Sequence, residues 1–230
     1  MAHVLDDWLL SAWRVAIHRP TATAVIADVH LGYSQARREG GDAVPLPGAD
    51  DGLALLSCAH AHTGFRRLVV AGDLFEKAFT EEPYAAFVGL LDRLTVEWVG
   101  LVLGNHDRKL PDHVPVWEHG VHLGPWHICH GDGEPVHGKR VIGHWHPSVR
   151  RQGRKVACYL IKEDQLVLPA FSSDAAGADV DRDRRWEGYE RWVIAGNCVT
   201  LAAQKNGPRN DRPRAGGKRP TVGRCWADSQ

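Results

Sequence analysis

The chain is organised around a segment that reads TAVIADVH, residues 23–30. Its first five residues form a short apolar run, which predicts a buried strand. In an extended chain, side chains two positions apart project from the same face, so Asp28 and His30 can reach one ion together. A carboxylate and an imidazole in this arrangement indicate a metal site at the tip of a strand.

In four further segments, polar side chains likewise follow an aliphatic or β-branched run. They are Gly72-Asp73, Gly104-Asn105-His106-Asp107, His130-Gly131-Asp132 and Gly143-His144-Trp145-His146. Open α/β sheets place their ligands at the carboxyl ends of successive strands. Carboxylates, imidazoles and one amide suit a pair of divalent transition ions better than they suit a thiolate zinc site.

Composition excludes several other classes of protein. A length of 230 residues predicts one large domain. A formal net charge of +0 gives no global field that attracts nucleic acid or membranes. No apolar run approaches the roughly 20 residues that span a bilayer, and the first ten residues lack the pattern of a signal peptide. The five cysteines form no C-x-x-C pair, so we expect reduced thiols in a cytoplasmic protein.

Apolar periodicity predicts the order of helices and strands. We expect a first strand over residues 13–17, strands over 68–71 and 98–103, and helices over 50–62 and 80–94. This alternation is typical of βαβ units. Short strands are predicted from residue 114 onward, then a polar loop over 172–187 and a hairpin around Gly196-Asn197. We therefore expect a layered α/β fold with two facing sheets.

We expect the folded domain to cover residues 1–203. Residues 204–230 form a basic tail rich in glycine and proline, which is predicted to be disordered because it cannot bury enough apolar surface. Such a tail either binds nucleic acid through counterion release or acts as a solubilising end.

The order D-x-H, G-D, G-N-H-D, H and G-H-x-H resembles the calcineurin-like metallophosphoesterase superfamily over roughly residues 23–170. The segments ADVHLG (27–32), GDLF (72–75), HGD (130–132) and LPAF (168–171) are most similar to one bacterial branch. That branch is the phosphoesterase associated with a DNA ligase and a DEXH-box helicase, itself similar to nuclease subunits of the Mre11/SbcD type. The resemblance implies a four-layer αββα sandwich of two facing mixed sheets.

The resemblance also implies a ligand set for two divalent ions. Asp28, His30 and His146 would hold the first ion, and Asn105, His130 and His144 the second. Asp73 would bridge the two ions. The ligand types fit Mn²⁺ or Fe²⁺ best, with Zn²⁺ as an alternative.

Further roles follow from the same resemblance. His106 would protonate the leaving oxygen as a general acid, with Glu76 orienting it. Asp107 is expected to stabilise its loop, and Asp132 to hold a ligand histidine by a hydrogen bond. Independently of the resemblance, Arg37 and Arg38 lie in the charged segment that follows His30 and would either contact substrate phosphate or lie on a solvated face.

The implied activity is hydrolysis of phosphodiester bonds, by a nuclease or nucleotide phosphodiesterase linked to DNA repair. The substrate would be DNA, RNA or a small phosphodiester, and the partners a DNA ligase or helicase, with no membrane involved. One alternative is a pyrophosphatase of a nucleotide-linked sugar or lipid, although those enzymes of this type that cleave lipid-A precursors typically carry arginine at the position of His106. Another is a non-catalytic scaffold on the same fold.

Overall fold

The computed structural model describes residues 3–43, 51–133, 137–175 and 177–202. They form two β-sheets, one of seven strands and one of nine. The expected tail at 204–230 lies outside the described residues. No helix in the described part of the chain is long and apolar enough to cross a membrane.

The first sheet follows the order of the sequence. Its strands are β1 (His3–Leu5), β2 (Trp8–Leu10), β3 (Ala16–His18), β4 (Thr23–Ile26), β5 (Arg67–Ala71), β6 (Glu97–Val102) and β7 (Val116–Trp117). The strands β1 to β4 form an antiparallel meander, and β4 to β7 are parallel. A 3₁₀ turn, Arg19–Thr21, joins β3 to β4.

Three helices cross over between the parallel strands. α1 (Tyr33–Glu39) and α2 (Asp51–Thr63) lie between β4 and β5, and α3 (Glu81–Leu94) lies between β5 and β6. Two glutamates in the first turn of α3 complement the positive end of the helix dipole. Its buried residues recur at helical spacing on one face, which packs against the first sheet. They are Tyr84, Phe87, Leu90 and Leu91.

The second sheet has the strand order β14-β11-β12-β13-β10-β9-β8, with β15 paired to β12 and β16 to β15. Its strands are β8 (Val121–Leu123), β9 (Trp126–Cys129), β10 (Arg140–Ile142), β11 (Pro147–Arg151), β12 (Arg154–Lys162), β13 (Gln165–Val167), β14 (Ala178–Asp179), β15 (Glu190–Ala195) and β16 (Cys198–Leu201). The pairs β9–β10 and β10–β13 are parallel, so this sheet is also mixed.

Alternation along β4 shows how the layers stack. Ala24 and Ile26 belong to the core under the helices, whereas Val25 and Ala27 belong to the core between the two sheets. Both faces of β4 are therefore buried, which is why its sequence is a continuous apolar run rather than an alternating one.

The outer face of the second sheet is covered by two 3₁₀ turns, Val180–Arg182 and Arg184–Trp186. Val180 and Trp186 are buried in a third core cluster with residues of this sheet, including Ile142 and Leu160. The expected αββα sandwich of two facing mixed sheets is confirmed, and its fourth layer consists of these short turns.

Candidate metal centre

The predicted ligands follow five strands that end at the same place in the fold. β4, β5 and β6 are parallel neighbours in the first sheet, and β9 and β10 are parallel neighbours in the second. Each strand is followed within four residues by its polar segment. Because the two sheets pack face to face, the carboxyl ends of both parallel sets meet at one edge.

The structure brings six of the seven predicted ligands into two groups. Within each group the ligand atoms lie within 4.8 Å of one another. The first group is Asp28, His30 and His146, and the second is Asp73, His130 and His144. In the first group, Nε2 of His146 is 3.1 Å from Oδ1 of Asp28. In the second, Nε2 of His130 is 3.3 Å from Oδ2 of Asp73.

The remaining predicted ligand, Asn105, contacts the second group. Its Oδ1 is 3.2 Å from Nε2 of His130, and Nδ1 of His144 is also 3.2 Å from that nitrogen. The backbone N–H of His144 donates to Oδ2 of Asp28 at 3.0 Å, which joins the two groups directly. All seven predicted ligands therefore belong to one continuous site.

A hydrogen bond to the main chain orients the His130 ring in the way that a metal ligand needs. Its Nδ1 is 3.0 Å from the carbonyl oxygen of Ala71. A carbonyl only accepts, so Nδ1 carries the proton and Nε2 is directed at Asp73 and Asn105. A backbone or carboxylate acceptor of this kind commonly fixes the orientation of metal-binding histidines.

The electrostatics of the site favour a cation. Burial opposes protonation of His130, but its hydrogen bond to Asp73 and the nearby carboxylates raise its pKa to about 9. Burial likewise opposes ionisation of Asp73, yet the hydrogen bond and charge of His130 lower its pKa below the usual value. The two buried carboxylates that favour protonation of His130, those of Asp73 and Asp28, will also attract a metal ion. The donor types and these charges both fit divalent cations.

His106 lies beside both groups. Its backbone N–H donates to Oδ1 of Asp73 at 2.9 Å, and its ring centroid is 5.3 Å from that of His30. Its Nδ1 donates to the carbonyl oxygen of Glu76. Nε2 is therefore the nitrogen left to exchange a proton with a bound molecule.

Glu76 acts on the site differently from the expectation. Its carboxylate was predicted to orient His106, but Oε2 lies 2.9 Å from Nδ1 of His30. His106 instead contacts the main-chain carbonyl of the same residue. Glu76 thus contacts both histidines, one through its side chain and the other through its backbone.

Asp107 joins the two loops that carry Asp73 and Asn105. Its carboxylate accepts from three backbone N–H groups, those of Asp73 (2.8 Å), Gly104 (3.0 Å) and Phe75 (3.2 Å). Burial raises the pKa of Asp107 to about 6, although these hydrogen bonds favour the ionised form.

Three other predicted residues are not brought into contact with the ligands. Asp132 is exposed, and within the described ranges no hydrogen bond joins it to a ligand histidine. Arg37 and Arg38 are exposed on α1, and Arg37 pairs with Asp42 at 2.7 Å. Their positions favour the solvated face over a phosphate contact.

The backbone is left-handed at five of the seven predicted ligands. Their φ angles are +56° at Asp28, +54° at His30, +54° at Asp73, +68° at His144 and +43° at His146. This conformation costs an L-residue roughly 1–2 kcal/mol, and it is tolerated best by aspartate, asparagine and histidine. Strained positions of this type cluster at functional sites.

The glycines of these motifs leave room for the predicted ligands, and this role was not predicted from the sequence. A Cβ at Gly72 would lie 2.1 Å from Nδ1 of His130, and one at Gly104 would lie 2.3 Å from Oδ1 of Asp73. At Gly143 it would lie 2.4 Å from Cβ of Ala27. Each glycine therefore permits a close approach of two strand ends.

An aromatic cleft of about 570 Å³, with His130 in its wall, was also not predicted. Its other lining residues include Trp145, Trp186, Tyr189 and Arg185. Cζ of Arg185 lies 4.2 Å from the ring centroid of Trp145, whose centroid is 5.7 Å from that of Trp186. In the sequence, Trp145 within the G-H-W-H segment is the residue that could have indicated this cleft.

No protein-family model matches the chain, and the search of curated protein sequences gave no match. The structure is similar to the crystal structure of Pseudomonas putida nuclease MPE, with a TM-score of 0.69 and 20% sequence identity. The alignment covers 88% of this chain and 100% of that chain. The two proteins therefore share a fold.

Proposed function

We propose that this protein is a metal-dependent phosphodiesterase that acts on nucleic acid. The observation that carries the proposal is the pair of carboxylate–histidine groups joined into one site with His106 beside them. A site with this donor set and an adjacent proton donor matches the chemistry of phosphoester hydrolysis.

The proposed cofactors are two divalent ions, with Mn²⁺ preferred. Asp28, His30 and His146 would hold one ion, and Asn105, His130 and His144 the other. Asp73, whose carboxylate lies 3.3 Å from Nε2 of His130, is the proposed bridging ligand, because a carboxylate has two oxygens and a negative charge that could serve both ions. When bound, such ions lower the pKa of water and stabilise the negative charge that develops at the phosphoryl oxygens.

His106 is the proposed general acid. Because the carbonyl of Glu76 occupies Nδ1, the imidazole can donate a proton only from Nε2, and its ring orientation is fixed. Proton donation to the leaving oxygen by a positioned histidine typically contributes a factor of about 10² to 10⁴ in rate.

The aromatic cleft supports a nucleic acid substrate. Trp145 directly follows the ligand His144, and Arg185 lies over its ring. Aromatic and arginine faces stack on nucleobases, at about 1–3 kcal/mol per base. The structurally similar protein is named a nuclease, which agrees with this substrate class. We further propose a cytoplasmic role in DNA repair beside a DNA ligase or helicase, with the catalytic domain in residues 1–203.

The test compares bis-p-nitrophenyl phosphate, p-nitrophenyl phosphate and the dinucleotide TpT, with Mn²⁺ and after chelation. We expect metal-dependent hydrolysis of the diesters. His106→Ala should reduce TpT cleavage about 10²-fold or more and the nitrophenyl diester much less, because nitrophenolate leaves without protonation.

His122→Ala is the matched control, since His122 is exposed and not a predicted ligand. Metal analysis of His106→Ala should still find the ions. Full activity after chelation, or loss of metal in His106→Ala, would contradict the proposal.

A further inference from the structure

The floor of the aromatic cleft includes a row of polar side chains on three parallel strands of the second sheet. His127 on β9, Arg140 on β10 and Gln165 on β13 are cross-strand neighbours, because Arg140 lies opposite both of the others in the register. All three line the cleft. The strands β9 and β10 are followed by the predicted ligands His130 and His144, so this row leads directly to the candidate metal centre.

Gln165 has an amide group of which only the oxygen is engaged. Its Oε1 accepts from Nη2 of Arg140 at 3.2 Å and from the hydroxyl group of Tyr189. Arginine has no acceptor, so the amide oxygen rather than the nitrogen must face Arg140. Nε2 has no hydrogen-bond acceptor among the residues that the structure describes. Because Gln165 is only 7% exposed and lines the cleft, its amide hydrogens are available to a molecule bound there.

The wall of the cleft consists of flat groups. Trp145, Trp186 and Tyr189 pack edge to face in succession, with ring centroids 5.7 and 5.3 Å apart. Arg185 lies over Trp145 and is fixed there by Asp183, whose Oδ2 accepts from Nη2 at 2.6 Å. Aromatic rings and guanidinium groups are the surfaces on which nucleobases stack.

The carboxylates and guanidinium groups of the lining balance one another. Among the described residues that line the cleft, Glu118 and Asp132 are acidic and Arg140 and Arg185 are basic. The charge of Arg185 is moreover paired with Asp183. The lining therefore favours a neutral flat ring with polar edges over an isolated phosphate. A volume of about 570 Å³ is sufficient for a nucleobase.

We propose that the aromatic cleft binds the nucleobase next to the phosphate at the candidate metal centre, and that Gln165 selects bases with a keto group on the edge that faces Nε2. This inference rests on the proposed function. A keto oxygen, as in guanine, thymine and uracil, accepts from Nε2, whereas the amino group of adenine or cytosine is a donor and opposes it. Since Oε1 is already occupied by Arg140 and Tyr189, Gln165 lacks the free donor and acceptor pair with which a glutamine reads adenine.

The experiment measures binding to the full-length protein by titration calorimetry, with Ca²⁺ in place of the catalytic ion so that the ligands stay intact. The ligands are two pairs of dinucleotides, dUpdU with dCpdC, and dIpdI with dApdA, where dI is deoxyinosine. The bases of each pair differ in a keto against an amino group and in the protonation of the adjacent ring nitrogen. We expect the wild type to bind the keto member about tenfold more tightly in at least one pair.

Gln165→Glu should reverse the preference, because the carboxylate keeps an oxygen for Arg140 and Tyr189 but places an acceptor where Nε2 was. Gln165→Met, which has no N–H group in its side chain, should bind both members of a pair equally. Gln152→Glu is the matched control, since it makes the same change of charge at an exposed turn residue outside the cleft lining. The ratio of affinities within one protein cancels any general effect of the added charge.

Three outcomes would overturn the inference: no keto preference of the wild type in either pair, the wild-type preference retained in both Gln165 variants, or an equal reversal in Gln152→Glu. Hydrolysis of bis-p-nitrophenyl phosphate, which has no nucleobase, reports separately on the proposed function. Absence of that hydrolysis together with a Gln165-dependent preference would refute the catalytic proposal and leave the base-binding cleft standing. Hydrolysis without any keto preference would refute the base selection alone.

Discussion

Replacing Gly104 by alanine should damage the candidate metal centre although it replaces no predicted ligand. The new Cβ would lie 2.3 Å from Oδ1 and 2.5 Å from the backbone nitrogen of Asp73. Neither partner can move cheaply, because the N–H groups of Gly104 and Asp73 both donate to the carboxylate of Asp107. The clash must therefore displace Asp73 or break these hydrogen bonds.

The expected size follows from two contributions. Inserting a methyl group into a packed region costs about 1–3 kcal/mol. Displacing Oδ1 of Asp73 leaves the N–H of His106 without its acceptor, which adds about 1–3 kcal/mol. In a domain of this size, each kcal/mol shifts Tm by about 2–4 °C. Gly104→Ala should thus lower Tm on the order of 10 °C and weaken Mn²⁺ binding.

Gly52→Ala is the matched control. Gly52 lies in the first turn of α2, where an added Cβ would meet nothing within 4 Å. The same substitution should there be neutral or stabilise the helix by about 0.5–1 kcal/mol. Thermal unfolding and metal titration of both variants provide the comparison. A Gly104→Ala protein with the Tm and Mn²⁺ affinity of the wild type would refute the steric reasoning.

Three further predictions concern other contacts. Asp107→Asn should lower the free energy of unfolding in urea by about 1–3 kcal/mol, because an amide nitrogen cannot accept from a backbone N–H; an unchanged midpoint would contradict this. Glu76→Gln should weaken Mn²⁺ binding about tenfold, since it removes a negative charge 2.9 Å from Nδ1 of His30, and wild-type affinity would argue against a role for that charge. Iodoacetamide at about pH 8 should label exposed Cys58 but spare Cys158. Burial raises the pKa of Cys158 to about 12, so the thiol stays protonated, and peptide mass spectrometry that finds it modified in folded protein would disprove this.

Much of the fold was predictable because the signals are local. The helix over 80–94 agrees with α3, Glu81–Leu94, and the helix over 50–62 agrees with α2, Asp51–Thr63. The first strand was predicted too early, at residues 13–17, whereas β3 is Ala16–His18. Strands of three residues are too short for periodicity to set their bounds, and β1 and β2 were missed for that reason.

The candidate site was predictable in its members but not in its contacts. The ligand positions follow from strand ends, which the sequence marks with apolar runs. The direction of the Glu76 side chain does not, because it depends on how the loop after β5 turns. The hydrogen bond from Arg14 to Ser172 joins positions 158 residues apart, and no local pattern can indicate such a pair.

The left-handed ligand positions change how mutagenesis of this protein should be designed. At Asp28 or His144, alanine removes the predicted ligand atom and also places in the left-handed region a residue that tolerates it less well. An alanine scan would thus report the sum of a lost ligand and a strained backbone, and would overstate the value of each ligand. Asparagine keeps the backbone tolerance and approximates the shape of aspartate, so it separates the two effects.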